Sequence, residues 1–320
     1  MPNELEVPSG EWLSLSGNAY GTTWRVDVVH AGDTSKSWLS QVQRQIEGML
    51  TVIDAQMSLW RADSDIVAFN AAPDGTRFVL AEPMLQVVSH ALAIARFTNG
   101  AFDPTLCEAV ERWGFGARAV AAGLPDTMDL QQERRDWRHV MCDGDVITAR
   151  AGLTLDLCAI AKGHAVDAVM EMLQSEPDAQ AALVEIGGEL KGWGLRPDGM
   201  PWWVSIEGAD TETLVALCGW AVATSGDCRR SFTHEGRDYC HAIDPQTLSP
   251  VQTGVMSVSV FDPSCWRADA LATAMMVMGR QQALAFAETH NIPCILNCRT
   301  SGGITEDISR ALQRWFDTDD

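Results

Sequence analysis

The chain changes its hydrophobic period inside one short stretch, residues 152–168: Gly-Leu-Thr-Leu-Asp-Leu-Cys-Ala-Ile-Ala-Lys-Gly-His-Ala-Val-Asp-Ala. Leu153, Leu155 and Leu157 alternate with Thr154 and Asp156, the period-2 pattern of a half-buried strand. Beyond Cys158 the period lengthens. Ala161, Ala165, Ala168 and Val169 recur at helical spacing, and Val166 and Met170 widen the apolar stripe. A strand running straight into a helix leaves unpaired backbone N–H groups at the helix start, where an anion can sit. Lys162 lies one turn into that helix and shares its residue type only with Lys36 and Lys191. A lone cation there suits a phosphate-contacting role; an ordinary solvated lysine on an exposed turn is the competing reading.

Charge narrows the ligand class. A net charge of -20, with no basic run, argues against nucleic acid and against anionic membrane surfaces. A small anionic ligand remains open, but a local cation, most simply a bound metal, must then reverse the field. The 320 residues can bury a full core, as one large domain or two close lobes. The nine cysteines are odd in number and irregular in spacing, which reads as reduced thiols. Cys294 and Cys298 are close, but no matching pair follows at zinc spacing. The first residues are acidic without an apolar run, and no stretch is long enough to span a bilayer. The expectation is a cytoplasmic chain without membrane insertion.

In chain order, a polar lead-in precedes a turn and an alternating strand over 19–29. Residues 38–57 and 84–97 read as helices, with Asp63 or Ser64 capping a short helix between them. Asn99-Gly100 stops the second helix, Asp103-Pro104 opens a loop and residues 113–116 turn again. Residues 117–140 are too weakly patterned to assign, and 146–157 read as a hairpin entering the central stretch. Strands follow at 181–186, closed by Gly187-Gly188, then at 202–206, 221–227 and 255–261. A helix runs from Arg267 to Met278 and stops at Gly279. The pattern predicts an α+β fold with a mixed or mostly antiparallel sheet, as one unit over residues 1–320.

Three constellations carry chemistry. Asp269 and Thr273 lie four residues apart on a helix and share a face. They offer hard oxygen ligands of the kind Mg2+ takes, or else local backbone bonds near a helix start. Thr224-Ser225-Gly226-Asp227 can bring backbone amides to an anion, with His241 as a general base beside Asp244-Pro245. A hydrogen-bonded hairpin histidine is the alternative. A Ser225–His241–Asp244 triad lacks the Gly-x-Ser-x-Gly elbow and is set aside. In Gly100-Ala101-Phe102-Asp103-Pro104, Asp103 could accept bonds from a base or ribose, or simply make a turn.

Together and in this order, these segments resemble the FAD:protein FMN transferase (ApbE) family over about residues 19–280. The resemblance runs through Gly21-Thr22-Thr23-Trp24, Met57-Ser58 to Asn70, Gly100 to Thr105 and Trp113-Gly114-Phe115-Gly116. It continues in Leu155-Asp156-Leu157 with Ile160-Ala161-Lys162-Gly163, and in Val184-Glu185-Ile186-Gly187-Gly188-Glu189. Ala223 to Asp227, His241-Ala242-Ile243-Asp244-Pro245 and Ala268-Asp269-Ala270-Leu271-Ala272-Thr273-Ala274 complete it.

The resemblance implies an ApbE-like fold: mostly antiparallel sheets, flanking helices, and an FAD and Mg2+ site between two lobes. It implies an enzyme that cleaves the FAD pyrophosphate and passes FMN to a threonine of an acceptor flavoprotein, releasing AMP. Asp269, Thr273 and the Ala159 carbonyl would then hold Mg2+. Asp156 and Lys162 would contact FAD, while Trp60, Ala101, Phe102 and Asp103 line its pocket. Tyr20, Thr224, Ser225, Gly226 and Ile243 complete the FAD set, and His241 serves as base for the threonine hydroxyl.

Four positions depart from the family pattern. Tyr20 stands for a methionine, Trp60 for a tyrosine, Cys158 for a small residue, and Leu248 for the glycine after Asp-Pro-x-Thr. None removes an implied ligand. They leave two alternatives: an FAD pyrophosphatase with water as acceptor, or a flavin-binding protein without turnover.

Overall fold

The first two strands, β1 (Glu11–Ala19) and β2 (Thr22–His30), make a hairpin whose tip is Tyr20-Gly21. Both tip residues are left-handed, with φ of 54° and 71°, as the right-handed twist of a tight hairpin requires. Gly21 adopts this freely; Tyr20 does so at a steric cost. Only the second strand is evident from the sequence. β1 is an edge strand with one buried side chain, Leu15, so its apolar alternation is faint.

The computed structural model describes residues 6–32, 34–118, 123–133, 136–207, 212–226 and 231–316. Its main sheet continues with β3 (Ala179–Ile186), β4 (Glu189–Trp193), β5 (Ala221–Gly226), β6 (Val255–Asp262), β7 (Cys294–Thr300) and β8 (Gly303–Ile308). The eight strands lie side by side in chain order, and every neighbouring pair is antiparallel. The fold is α+β, and the sheet is antiparallel rather than mixed.

Helices fill the excursions from this sheet. Between β2 and β3 come α1 (Lys36–Met57), α2 (Asp65–Asn70), α3 (Glu82–Phe97), α4 (Cys107–Arg112) and α5 (Cys158–Ser175). Between β6 and β7 lies α6 (Cys265–His290), and α7 (Arg310–Gln313) follows β8. Consecutive strand residues serve opposite faces. Val28, Ala223, Val260 and Leu296 join the core under α1, α3, α5 and α6. Val29, Val222, Phe261 and Ile295 instead meet Trp202, Val204 and Leu217 of the hairpin Trp202–Glu207/Glu212–Leu217. A strand covered on both sides reads as a continuous apolar run, which is how 181–186 and 221–224 look. A third, smaller cluster joins Ala109, Trp113, Phe115, Leu130, Ile243 and Leu248.

Two expectations need correction, and one unassigned stretch gains an element. Residues 152–157 belong to no sheet; in 146–157 only Val146–Thr148 is a strand, paired with Arg77–Val79 and Met141–Asp143. Leu153, Leu155 and Leu157 are buried as their alternation requires, each worth about 1.5–3 kcal/mol of apolar transfer. Their backbone partner, however, is a side chain. Asn70 Oδ1 accepts the Leu155 amide at 2.7 Å, and Asn70 Nδ2 donates to the Leu155 carbonyl at 2.8 Å. The Asp156 amide donates to the Pro104 carbonyl at 2.8 Å. Next, α6 breaks at Gly279 (φ 74°, ψ 168°), as expected, but a second helical segment resumes and runs to His290. Finally, residues 117–140 contain a short helix, Thr127–Glu133, which the sequence left unassigned.

Ser64 caps α2, its hydroxyl accepting the Val67 amide at 3.3 Å. Leu248 sits in the left-handed region that favours glycine, at φ 55°. Its amide donates to Asp244 at 2.8 Å, its carbonyl accepts the Trp113 indole at 2.7 Å, and its side chain is 1% exposed. Burial in the third cluster offsets the left-handed strain.

Candidate active site

Asp156 is the last polar residue before α5, on the segment that Asn70 and Pro104 anchor. Its Oδ1 accepts the Cys158 amide at 2.8 Å, a local bond that satisfies one of the open donors at the helix start. Burial pushes the Asp156 carboxyl above its usual range, opposed by hydrogen bonds from the Cys158 amide and thiol. The next residue, Ala159, is not helical (φ -89°, ψ 17°). The Gly163 amide, which in a regular helix would close onto the Ala159 carbonyl, donates to Asp269 Oδ2 at 3.1 Å.

That bond crosses from α5 to α6. The helices approach closely because Gly163 has no side chain: a Cβ there would sit 2.5 Å from the Cys265 carbonyl oxygen. A second tie lies one turn on. Asp167 Oδ2 accepts the Trp266 amide at 2.9 Å, while its Oδ1 takes the Lys191 ammonium at 2.5 Å. Ser264, the N-cap position of α6, makes no side-chain cap bond, so Asp167 caps this helix from its neighbour. Held this way, α6 presents Asp269 and Thr273 on one face. Asp269 is 5% exposed; burial raises its carboxyl, against the pull of Lys162 and the Gly163 amide. Thr273 Oγ1 lies 3.0 Å from Ser225 Oγ on β5, and Thr224 Oγ1 lies 2.8 Å from Ser259 Oγ.

These groups face a cavity of about 1140 Å3. It opens between the main core and the smaller aromatic cluster, touching Leu50, Met57 and Met276 on one side and Phe115 and Ile243 on the other. All fifteen candidate residues, from Tyr20 to Thr273, line this one cavity. Tyr20 donates its hydroxyl to the Leu50 carbonyl at 3.2 Å, and burial pushes its phenol well up, so it stays a neutral donor. Trp60 is 51% exposed at the cavity wall. Asp103 spends one oxygen on its own turn, accepting the Thr105 amide at 2.9 Å and hydroxyl at 2.6 Å. His241 meets the Phe115 ring edge-on at 6.4 Å and acts electrostatically on Asp156.

The Ser225–His241–Asp244 triad is not assembled. Ser225 pairs with Thr273, and Asp244 accepts the Gln246 amide and Thr247 hydroxyl within its own turn. Asp227 lies outside the described residues. Two features escaped sequence reasoning. Lys162 is not a lone solvated cation: it forms an ion pair with buried Glu189 of β4. Arg61 also lines the cavity, bound to Asp63 at 2.7 Å and to Asp54 at 3.5 Å. Glu189 closes the Gly-Gly-Glu run, and that run was its only signal.

Among the described residues no group of three or more His, Cys, Asp or Glu gathers to hold a metal. The Asp269, Thr273 and Ala159 set, with its single carboxylate, is not of that kind. The eight cysteines described form no disulfide with one another, and no described helix is long and apolar enough to cross a membrane.

The profile of the ApbE family matches residues 20–296. The FAD:protein FMN transferase of Vibrio cholerae is 35% identical over 95% of this chain and 92% of its own length. That of Haemophilus influenzae is 32% identical over 96% and 92%. The apo crystal structure of Pseudomonas stutzeri flavinyl transferase ApbE is similar with a TM-score of 0.89 and 34% identity, covering 96% of this chain and 97% of that one. Sequence profile, identity over nearly full length and shared fold agree: the chain belongs to the ApbE family.

Proposed function

We propose that this chain is a Mg2+-dependent FAD:protein FMN transferase: it cleaves the FAD pyrophosphate, joins FMN to a threonine of an acceptor flavoprotein and releases AMP. One observation carries the reading. Residues from widely separated segments, each typed for a part of this chemistry, converge on a single cavity large enough for a dinucleotide. Because its lining runs from Asn18 to Val277, we take the chain to work as one unit. The odd number and irregular spacing of the nine cysteines favour a reducing, cytoplasmic setting.

The donor set suits Mg2+. Asp269, Thr273 and the Ala159 carbonyl are hard oxygens, with no thiolate or imidazole among them. The break from helical geometry at Ala159, with the Gly163 amide turned to Asp269, suits a carbonyl used as a ligand. When bound, the cation supplies charge neutralisation for the pyrophosphate and the departing phosphate. Lys162 adds a fixed positive charge at the same phosphates. Trp60, Tyr20 and Phe102 offer flat apolar faces to the flavin, and Asp156 accepts a hydrogen bond from it. His241 takes the proton from the incoming threonine hydroxyl. The threonine oxygen bonds to the FMN phosphorus, the pyrophosphate P–O bond breaks, and its electron pair leaves with AMP.

The test is to incubate the purified chain with FAD, in Mg2+ or EDTA, with and without a threonine-bearing acceptor domain. AMP release that needs Mg2+ and the acceptor, with flavin covalently on the acceptor, is expected. Equal FMN and AMP without acceptor would make the chain a hydrolase. Stoichiometric FAD binding with no AMP under any condition would leave only a binder.

A further inference from the structure

Glu189 is a buried carboxylate that the proposed chemistry does not use. It follows Gly187 and Gly188, whose φ values of 62° and 101° turn β3 into β4. Glu185 Oε1 fixes that turn by accepting the Gly188 amide at 2.8 Å. The turn leaves Glu189 2% exposed, with one oxygen receiving the Lys162 ammonium. Lys162 passes close over the turn: a Cβ at Gly187 would lie 3.6 Å from Lys162 Cδ.

A second carboxylate competes for that ammonium. Asp269 Oδ2 accepts the amide of Gly163, the residue next to Lys162, at 3.1 Å, and the Lys162 charge acts on Asp269. Lys162 thus touches one buried carboxylate, Glu189, and acts electrostatically on a second, Asp269. A lysine is a point charge on a flexible stem, so removing one partner lets it swing to the other.

We infer that Glu189 is a positioning residue: by holding Lys162 Nζ, it keeps the ammonium from pairing with Asp269 and leaves that carboxylate open to a divalent cation. The inference rests on the proposed reading of Asp269 as a metal ligand. It assigns the Gly187-Gly188 turn a purpose, since the turn aims Glu189 at Lys162.

The experiment titrates the full chain with Mn2+, following the free-ion EPR signal, and measures FAD affinity and thermal stability in parallel. Glu189→Gln is expected to weaken Mn2+ binding by about tenfold or more, the scale for partners just outside a metal's ligands. Adding Lys162→Met to Glu189→Gln should recover Mn2+ affinity, because the competing ammonium is gone. Glu189→Asp, which keeps the charge, should retain it. A merely structural Glu189 would weaken Mn2+ equally in the single and double variants, and that result overturns the proposal. So does unchanged Mn2+ affinity in Glu189→Gln. If wild type binds no Mn2+, or Asp269→Ala binds it equally well, the metal reading itself falls and the inference with it.

Discussion

Gly163→Ala tests the packing that brings the two halves of the site together. In a free helix the change is favourable by about 1 kcal/mol, because alanine is the better helix former. Here the new Cβ would lie 2.5 Å from the Cys265 carbonyl oxygen and 2.7 Å from Trp266 Cα. Both are backbone atoms that no rotamer change can move aside. Ordinary contact needs 3.5–4.0 Å, so α5 and α6 must separate by roughly 1 Å. Overpacking of this kind costs about 1–3 kcal/mol, which outweighs the propensity gain or cancels it. A loss of about 0–2 kcal/mol lowers the melting temperature by a few degrees at most in a chain of this size. The functional cost is larger. The Gly163–Asp269 bond at 3.1 Å would stretch, carrying Asp269 and Thr273 away from Lys162 and Ala159. A displacement of about 1 Å costs on the order of 100-fold in rate. The assay is AMP release beside a thermal melt, with Gly48→Ala as control; Gly48 lies in α1 with nothing within 4 Å of its would-be Cβ. Gly48→Ala should stabilise and keep full activity. If Gly163→Ala matches it in both, the helix contact does not set the site.

Other consequences are open to measurement. Asn70→Ala leaves the Leu155 amide and carbonyl without their 2.7 and 2.8 Å partners; it should cost about 2 kcal/mol or more in denaturant unfolding and weaken FAD binding, since Asp156 follows directly. Leu248→Gly removes the strain at φ 55° but also a side chain 1% exposed; the lost burial should win, with a net loss of about 1–3 kcal/mol by urea melt. Asp27 receives Arg25 at 2.9 Å, Trp12 at 3.2 Å and the Ser14 hydroxyl. Burial opposes its ionisation, but these bonds outweigh it and hold the carboxyl below the usual range. Its stabilisation is therefore complete above the unfolded value near pH ~4 and is lost as pH falls through the lower folded one. The stability gap between wild type and Asp27→Asn should be flat near neutrality and shrink in acid; a gap that widens in acid would contradict the assignment.

Local periodicity made part of this protein readable before any fold was known. The helical spacing after Cys158, the shared face of Asp269 and Thr273, the cap at Ser64 and the break at Gly279 all depend on residues within a turn or two of one another. Such signals survive in sequence because the helix itself fixes which neighbours meet. β1 was unreadable for the opposite reason: an edge strand buries little, so selection leaves scant alternation. The second segment of α6 was hidden because a glycine that ends a helix looks the same as one that kinks it.

The side-chain period of residues 152–157 correctly announced which leucines are buried, yet it misnamed what they pair with. Alternation reports only that successive side chains point to opposite sides. Whether the backbone partner is a strand or the amide of Asn70, 85 positions away, is invisible to it. The same limit applies to Lys162. Its chemistry and its place one turn into α5 were written in the sequence, because both are local. Its pairing with Glu189, its reach toward Asp269 and the closeness of α5 and α6 at Gly163 were decided only in three dimensions, where contacts between distant segments depend on how the chain packs.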